Sequence, residues 1–308
     1  SEYHRTEYFG PILGIMTADT LAEAIALVNE VDYGLTSGLH SLDGDEIATW
    51  CQTIQAGNLY VNRGITGAIV QRQPFGGWKK SAIGPGAKAG GPNYLVGLGS
   101  WADAAPLASG VPAGAAGELL KAARAALEPA DADWLARALG SDAVAWATEF
   151  GISQDVTGLR AERNVFRYRP VPVAVRFEGA SPGRGIAELL RVCGAGLRAG
   201  SALTVSTPEA LPGGVADVLR AHGAVVAVEA SNAWLARAAR RGSGRVRLIA
   251  PGPDAHAALI EATGGSVDIA AYAHPVTSAG RVEMLPFLHE QAVSLTAHRF
   301  GNQNPVTL

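Results

Sequence analysis

Two cysteines, Cys51 and Cys193, are all that the 308 residues contain, too few for a disulfide framework. That scarcity points to a reducing compartment and makes the cytoplasm the expected location. Charge is also sparse. Charged residues make up 17% of the chain, and 25 Lys+Arg against 28 Asp+Glu leave a formal net charge of −3. A chain so nearly balanced lacks the basic stripe that tracks a phosphate backbone, so nucleic acid is not an expected partner. No run reaches the roughly 18–20 uncharged apolar residues that a membrane-spanning helix needs, and no transmembrane segment is expected. The opening SEYHRTEYFGPILG has no basic region followed by an apolar run and a small-residue cleavage site, so it is not a secretory signal. The seven histidines show no HxxxH spacing and no CxxC occurs, so no metal site is expected. An initiator methionine is also missing, and the chain is expected to be cut from something longer.

What is present is length for about two domains, on a prior of roughly 100–200 residues each, together with 48% hydrophobic content, 38 glycines and 17 prolines. Alanine-rich helical patterns alternate with short β-branched runs, which predicts an α/β fold with a mainly parallel sheet. Thr20 is a candidate N-cap with Glu23 at the capping-box position, leading into LAEAIALVNEV, where Leu21, Ile25 and Val28 recur at helical spacing. Gly34 then reads as a stop signal. A second helix is expected around Asp45–Ile54 and a strand over Asn58–Asn62, followed by the Gly-rich segment TGAIVQRQPFGGWKKSAIG. Composition shifts at Trp101 into a Pro/Gly-containing, small-residue stretch and alanine-rich helices, read as a linker. From Asn164 a second α/β unit begins. VFRYRPVPVAVRFEG predicts a strand interrupted by prolines; helix and strand then alternate through IAELLRVCGAGLRAG, SALTVST, VADVLRAHG, AVVAVEA, AWLARAARRG and RVRLIAP at the length of a doubly wound sheet. HEQAVSLTAHRFGNQNP is expected to form an exposed-edge strand and a polar tail, in which His298 and Arg299 are exposed.

Glu7-Tyr8-Phe9-Gly10-Pro11 pairs an aromatic with Gly-Pro, which by itself is most often a turn packed on a core. Tyr33-Gly34-Leu35, Gly57–Asn62 (GNLYVN) and Gln73–Gly84 (QPFGGWKKSAIG) follow it in order. Thr66-Gly67-Ala68-Ile69-Val70 is a Gly-containing loop whose backbone N–H groups can converge on an anion, or simply a tight turn before a strand.

Taken together, these elements resemble the C-terminal catalytic region of the aldehyde dehydrogenase superfamily. The resemblance implies that the Glu7 carboxylate holds the nicotinamide ribose of NAD and that the Phe9 ring packs beside the nicotinamide. Ala82 departs from the pattern, standing where the family usually has glycine. The surrounding VNRGITGAIVQRQPFGG and Lys88–Leu95 (KAGGPNYL) are similar to the glutamate semialdehyde (Δ1-pyrroline-5-carboxylate) dehydrogenases, which implies substrate binding by Gly67, Ala68 and Phe75, the Gly-Ala amides anchoring an α-carboxylate. That chemistry requires a thiolate for the thiohemiacetal and a carboxylate base. Neither Cys51, in ATWCQTIQ, nor Cys193 has the nucleophile's context, and both are expected to be core residues. The catalytic nucleophile and base are expected outside this chain.

Residues 161–280 have the rhythm of the family's nucleotide domain, yet Ser206-Thr207 stands where Lys-Pro would be, and a Rossmann-like unit that does not bind nucleotide is expected. With Ile152–Arg176 and Glu290–Pro305, the whole resembles the bifunctional proline utilization A flavoenzymes. The fold implied is α/β: the C-terminal part of an aldehyde dehydrogenase catalytic domain (1–100), an Ala-rich helical linker (101–160), a degenerate Rossmann-like domain (161–280), and a C-terminal strand and tail (281–308). The resemblance further implies L-glutamate γ-semialdehyde as substrate, FAD in an upstream proline dehydrogenase domain, a homodimer, and a second role for this segment as a lid and oligomerisation module over the substrate tunnel.

Overall fold

The computed structural model describes residues 1–103, 110–179, 184–249, 252 and 254–296; His298 and Arg299 lie outside these. Backbone without regular secondary structure runs from Thr6 to Thr20, and helix α1 (Leu21–Asn29) follows. Its start is the predicted cap: the Thr20 hydroxyl accepts the Glu23 N–H at 3.2 Å, while the Glu23 carboxylate reaches back to the Asp19 N–H at 2.8 Å. Gly34 does not stop that helix, which ends at Asn29. It lies in the two-residue strand β1 (Tyr33–Gly34), where a Cβ would sit 2.5 Å from the Gln55 carbonyl. Close backbone approach is what demands a glycine there.

Strand β2 (Thr36–Leu39) leads to α2 (Gly44–Thr53), whose first amides are capped by Asp43, and then to β3 (Asn58–Val61) and β4 (Trp78–Lys79). Ala82 follows a turn whose left-handed residue is Lys79 (φ 52°), so the alanine carries no backbone strain of its own. Helices α3 (Gly114–Arg124) and α4 (Pro129–Ala145) form the linker, with Pro129 at the first turn of α4, where its missing N–H costs nothing.

The predicted strand through the prolines is two strands in two sheets. The first, β5 (Glu162–Pro170), pairs antiparallel with the last strand, while β6 (Val173–Phe177) opens a parallel sheet. From there the chain alternates as predicted: α5 (Ile186–Ala199), β7 (Leu203–Thr207), α6 (Val215–Ala221), β8 (Val225–Val228), α7 (Ser231–Ala239), β9 (Gly244–Ile249), α8 (Ala255–Ala262), β10 (Ile269–Tyr272) and the single turn α9 (Gly280–Glu283), before β11 (Leu288–Thr296). The parallel sheet has the order β10-β9-β6-β7-β8, the doubly wound arrangement in which chain direction reverses between β6 and β9.

The expectation of an exposed-edge final strand is corrected. β11 lies inside a four-stranded sheet of order β2-β3-β11-β5, parallel to β3 (Ala292 opposite Asn58, Leu295 opposite Val61) and antiparallel to β5 over its whole length. Polar residues made it read as an edge, but Gln291 and Ser294 are buried and bonded within the sheet. One core lies on this sheet, where Ile47, Trp50 and Cys51 of α2 meet Leu59, Val61, Val165, Val293 and Leu295. A larger one surrounds α5, built from Leu189, Leu190, Val192 and Cys193 against Leu135, Leu139 and Val175. Burying each such leucine contributes roughly 1.5–3 kcal/mol. Charge enters this second core only in pairs: Arg191 grips Asp142 through two bonds of 2.6 and 2.8 Å, and Arg247 donates to Glu283 at 2.8 Å. No described helix is long and apolar enough to cross a membrane.

Candidate functional site

The loop between β3 and β4 carries three of the five residues singled out in the sequence. Residues 64–71 are exposed, so their conformation rests on a few bonds made from below. Gly67 adopts φ +86°, a region that glycine enters without strain. Its carbonyl accepts the Tyr60 hydroxyl at 3.0 Å. The N–H groups of Gly67 and Ala68 meet no acceptor among the described residues. Ile69 closes a turn: its N–H donates to the Gln73 side-chain oxygen at 3.0 Å, and its carbonyl accepts the N–H groups of Arg72 and Gln73, both at 2.9 Å. The product is a pair of consecutive free amide donors on a fixed loop, a suitable receptor for a carboxylate.

Phe75 lies just beyond, half-buried, its backbone exchanging two bonds with Ala89 at 2.9 and 2.8 Å. That places the turn over 88–91 under the loop, and the Val70 side chain contacts Gly90. Lys88 secures the turn. Its buried ammonium donates to the Asn58 side-chain oxygen at 2.8 Å and to the Gly76 carbonyl, and burial pushes its pKa down to about 7 although Glu290 opposes this. Glu290 of β11 in turn accepts the Lys88 N–H at 2.7 Å and the Asn93 amide at 2.6 Å. Beside the loop a cleft of about 790 Å³ is lined by Arg63, Thr66, Arg72, Arg160, Glu162 and other residues, with Arg63 paired to Glu162 at 2.5 Å.

Glu7 and Phe9 lie on the irregular N-terminal segment, both exposed, the Phe9 ring by 95%. Among the described residues no hydrogen bond or ring contact joins them to Gly67, Ala68 or Phe75. The two cysteines offer no nucleophile: Cys51 and Cys193 are free and buried, and burial pushes their thiols up to about 11 and about 12, far from thiolate at neutral pH. No metal-binding cluster of His, Cys, Asp or Glu occurs among the described residues.

A second location calls for the same scrutiny, the carboxyl ends of β6, β7 and β8, beside the β6–β9 switch point at which doubly wound sheets receive nucleotides. It is filled from within. Arg176, fully buried at the end of β6, donates to Ser206 at 2.8 Å, to the Glu229 carbonyl at 3.0 Å, to both Glu178 carboxylate oxygens at 3.0 and 3.1 Å and to Ser231 at 2.9 Å, and its guanidinium lies 5.6 Å from the Trp234 ring centre. The Glu229 carboxylate is held by Ser206 and Arg237. Sequence reasoning noticed the absent lysine near Ser206 but not this arginine. The signal available was one basic residue inside the apolar run VPVAVRF.

Comparison with known proteins gives matches in both halves of the chain. Residues 1–97 match the family model described as the aldehyde dehydrogenase family. Among solved structures, the chain is similar to proline utilization A from Corynebacterium freiburgense, at 40% identity and a TM-score of 0.74, over 98% of this chain and 27% of that one. Among curated proteins it is similar to the 1-pyrroline-5-carboxylate dehydrogenases of Bacillus thuringiensis (strain Al Hakam) and Bacillus cereus (strain AH187), each 45% identical over 92 residues, which are 30% of this chain and 18% of the relative. The chain thus spans about a quarter of the solved structure it matches and less than a fifth of these curated relatives.

Proposed function

We propose that this chain is the C-terminal part of a longer bifunctional enzyme of proline catabolism, and that residues 1–100 complete an NAD-dependent dehydrogenase oxidising L-glutamate γ-semialdehyde to glutamate. The observation that carries this reading is the pair of free amides at Gly67 and Ala68, exposed on a buttressed loop beside an arginine-lined cleft. Two adjacent N–H donors without a protein acceptor suit a carboxylate and are of little use to an uncharged aldehyde. Phe75 borders the substrate's carbon chain. The 45% identity to 1-pyrroline-5-carboxylate dehydrogenases over 92 residues supports the same substrate.

The residues assigned to NAD suit it chemically: Glu7 offers a carboxylate acceptor for ribose hydroxyls, and Phe9 presents a bare ring face to a flat aromatic group. When bound, NAD supplies the hydride acceptor. The chain's own residues orient cofactor and substrate; the nucleophilic cysteine and the base are assigned to sequence outside this chain. The Rossmann-like unit, whose parallel sheet starts at β6 and not at residue 161, does not fit a nucleotide, because Arg176 fills the crevice beside a ribose position and consumes its acceptors. FAD belongs to an upstream proline dehydrogenase unit and is assigned no residue here.

Strands β5 and β11 extend the β2-β3 sheet of the first unit, so the final segment is built into the catalytic part; the second role proposed for the linker, the Rossmann-like unit and the C-terminal strand and tail (281–308) is that of a lid and dimerisation module in a cytoplasmic homodimer. The test is NAD reduction with the semialdehyde. Purified residues 1–308 are expected to be inactive and the full-length polypeptide active. A full-length polypeptide that leaves the semialdehyde unoxidised overturns the substrate assignment, and unchanged turnover after deletion from His289 onward overturns the lid.

A further inference from the structure

The free amides at Gly67 and Ala68 sit on a loop that is exposed along its length, so something else must hold its shape. Gln73 does so, and it is buried. Its side-chain oxygen accepts the Ile69 N–H, while its side-chain nitrogen spends both hydrogens on the second unit: one on Asn164 at 2.8 Å, one on Glu162 at 3.2 Å. Asn164 lies on β5 and is likewise buried. Its side-chain oxygen receives a second bond from the Ser294 hydroxyl of β11 at 2.8 Å.

The direction of every bond in this chain is set from its far end. Asp155 can only accept, and it takes the Thr157 hydroxyl hydrogen at 2.6 Å and the Asn164 backbone N–H at 3.0 Å. With its hydrogen committed, the Thr157 oxygen is an acceptor, and the Asn164 side-chain nitrogen donates to it at 3.3 Å. The Asn164 oxygen must therefore face Gln73, the Gln73 nitrogen must face Asn164, and the Gln73 oxygen is left pointing at Ile69. A flipped Gln73 amide would oppose donor to donor at Ile69 and acceptor to acceptor at Asn164, leaving buried groups unsatisfied.

We propose that Asn164 and Ser294 are positioning residues for carboxylate recognition: acting through Gln73, they fix the Ile69 turn and thereby aim the Gly67 and Ala68 amides. The inference rests on the reading of that loop as a carboxylate receptor. Neither residue touches substrate. Both lie more than ninety residues from the loop in sequence, on strands of the C-terminal part, so the receptor exists in working form only when β5 and β11 are seated.

The experiment uses the full-length polypeptide and two aldehydes, glutamate semialdehyde and propanal, which has no carboxylate. For Asn164→Ala, KM for the semialdehyde is expected to rise about tenfold, the order of one lost buried hydrogen bond acting on loop placement, with kcat within about twofold. Ser294→Ala, which deletes one hydroxyl and leaves the Gln73 bond, gives a smaller rise in the same direction. The kcat/KM for propanal stays at the wild-type value, because that substrate does not use the amides. An unchanged KM in Asn164→Ala overturns the proposal, and so does an equal loss for both aldehydes. Hydrogen exchange at the Ile69 amide gives a readout independent of substrate: acceleration in Asn164→Ala supports the positioning role, and wild-type exchange overturns it. Should the unmodified polypeptide fail to oxidise the semialdehyde, the substrate reading fails while the exchange measurement still decides the inference.

Discussion

The two halves of this chain treat their polar groups in opposite ways. At the β3–β4 loop, the buried Asn58 and Gln73 side chains are bonded through both ends, while the exposed backbone donors of Gly67 and Ala68 are left free. At the carboxyl edge of the parallel sheet, Arg176, Ser206, Glu229 and Ser231 satisfy one another. Both places have the topology of a binding site. Only the first leaves unspent donors for a ligand, and a ligand needs unspent groups more than it needs a crevice.

The largest expected effect that tests this contrast is at Arg176. Arg176→Met removes the cation that Glu178, Ser206, Ser231 and the Glu229 carbonyl all use, and is expected to cost about 3 kcal/mol in urea unfolding, since it strands several groups at once. It should produce no NAD binding by calorimetry; measurable binding would mean that the crevice is plugged and still competent, which breaks the comparison. Next in size is Gly67→Ala. The added Cβ meets nothing within 4 Å, so the penalty comes from backbone at φ +86° alone and should be about 1 kcal/mol. Its effect is expected in KM for the semialdehyde, with the melting temperature nearly unchanged; a large loss of stability would show that the loop is structural.

The smallest effect is a pH dependence at His289, which packs 4.9 Å from the Trp78 ring centre. Burial first, then the charges of Arg245 and Lys88, hold its imidazole well below the usual histidine range. It stays neutral when folded, whereas the unfolded chain takes up a proton below about pH 6.5, so its share of stability is complete above that value and declines as the pH falls further. His289→Phe keeps a ring against Trp78 and is expected to flatten the decline in melting temperature between about pH 7 and about pH 5.

Local chemistry was legible in the sequence. The Thr20–Glu23 cap and the alternating strands and helices from 186 to 249 declare themselves through period and punctuation, and the structure reproduces them. The loop motif around Gly67 was legible too, through its likeness to a known family. Pairing over long separations was not. Nothing near Ser294 says that it will lie beside Asn164, 130 positions away, or that β11 will enter between β3 and β5. Arg176 was hidden for a related reason: a lone charge in a strand reads as surface until its distant partners are known. Gly34 was misjudged because a glycine after a helix resembles a stop, while the backbone that crowds it comes from Gln55.

The position of β11 also has a consequence in time. Val61 has no neighbour on its outer side until Leu295 arrives, and at roughly 5–20 residues per second the ribosome needs about ten to fifty seconds to add the intervening stretch. For that interval the nascent sheet presents an unpaired edge backed by Leu59 and Val61, which is an invitation to wrong partners. Until the last strand docks, that edge must be shielded by other parts of the nascent chain or by chaperones.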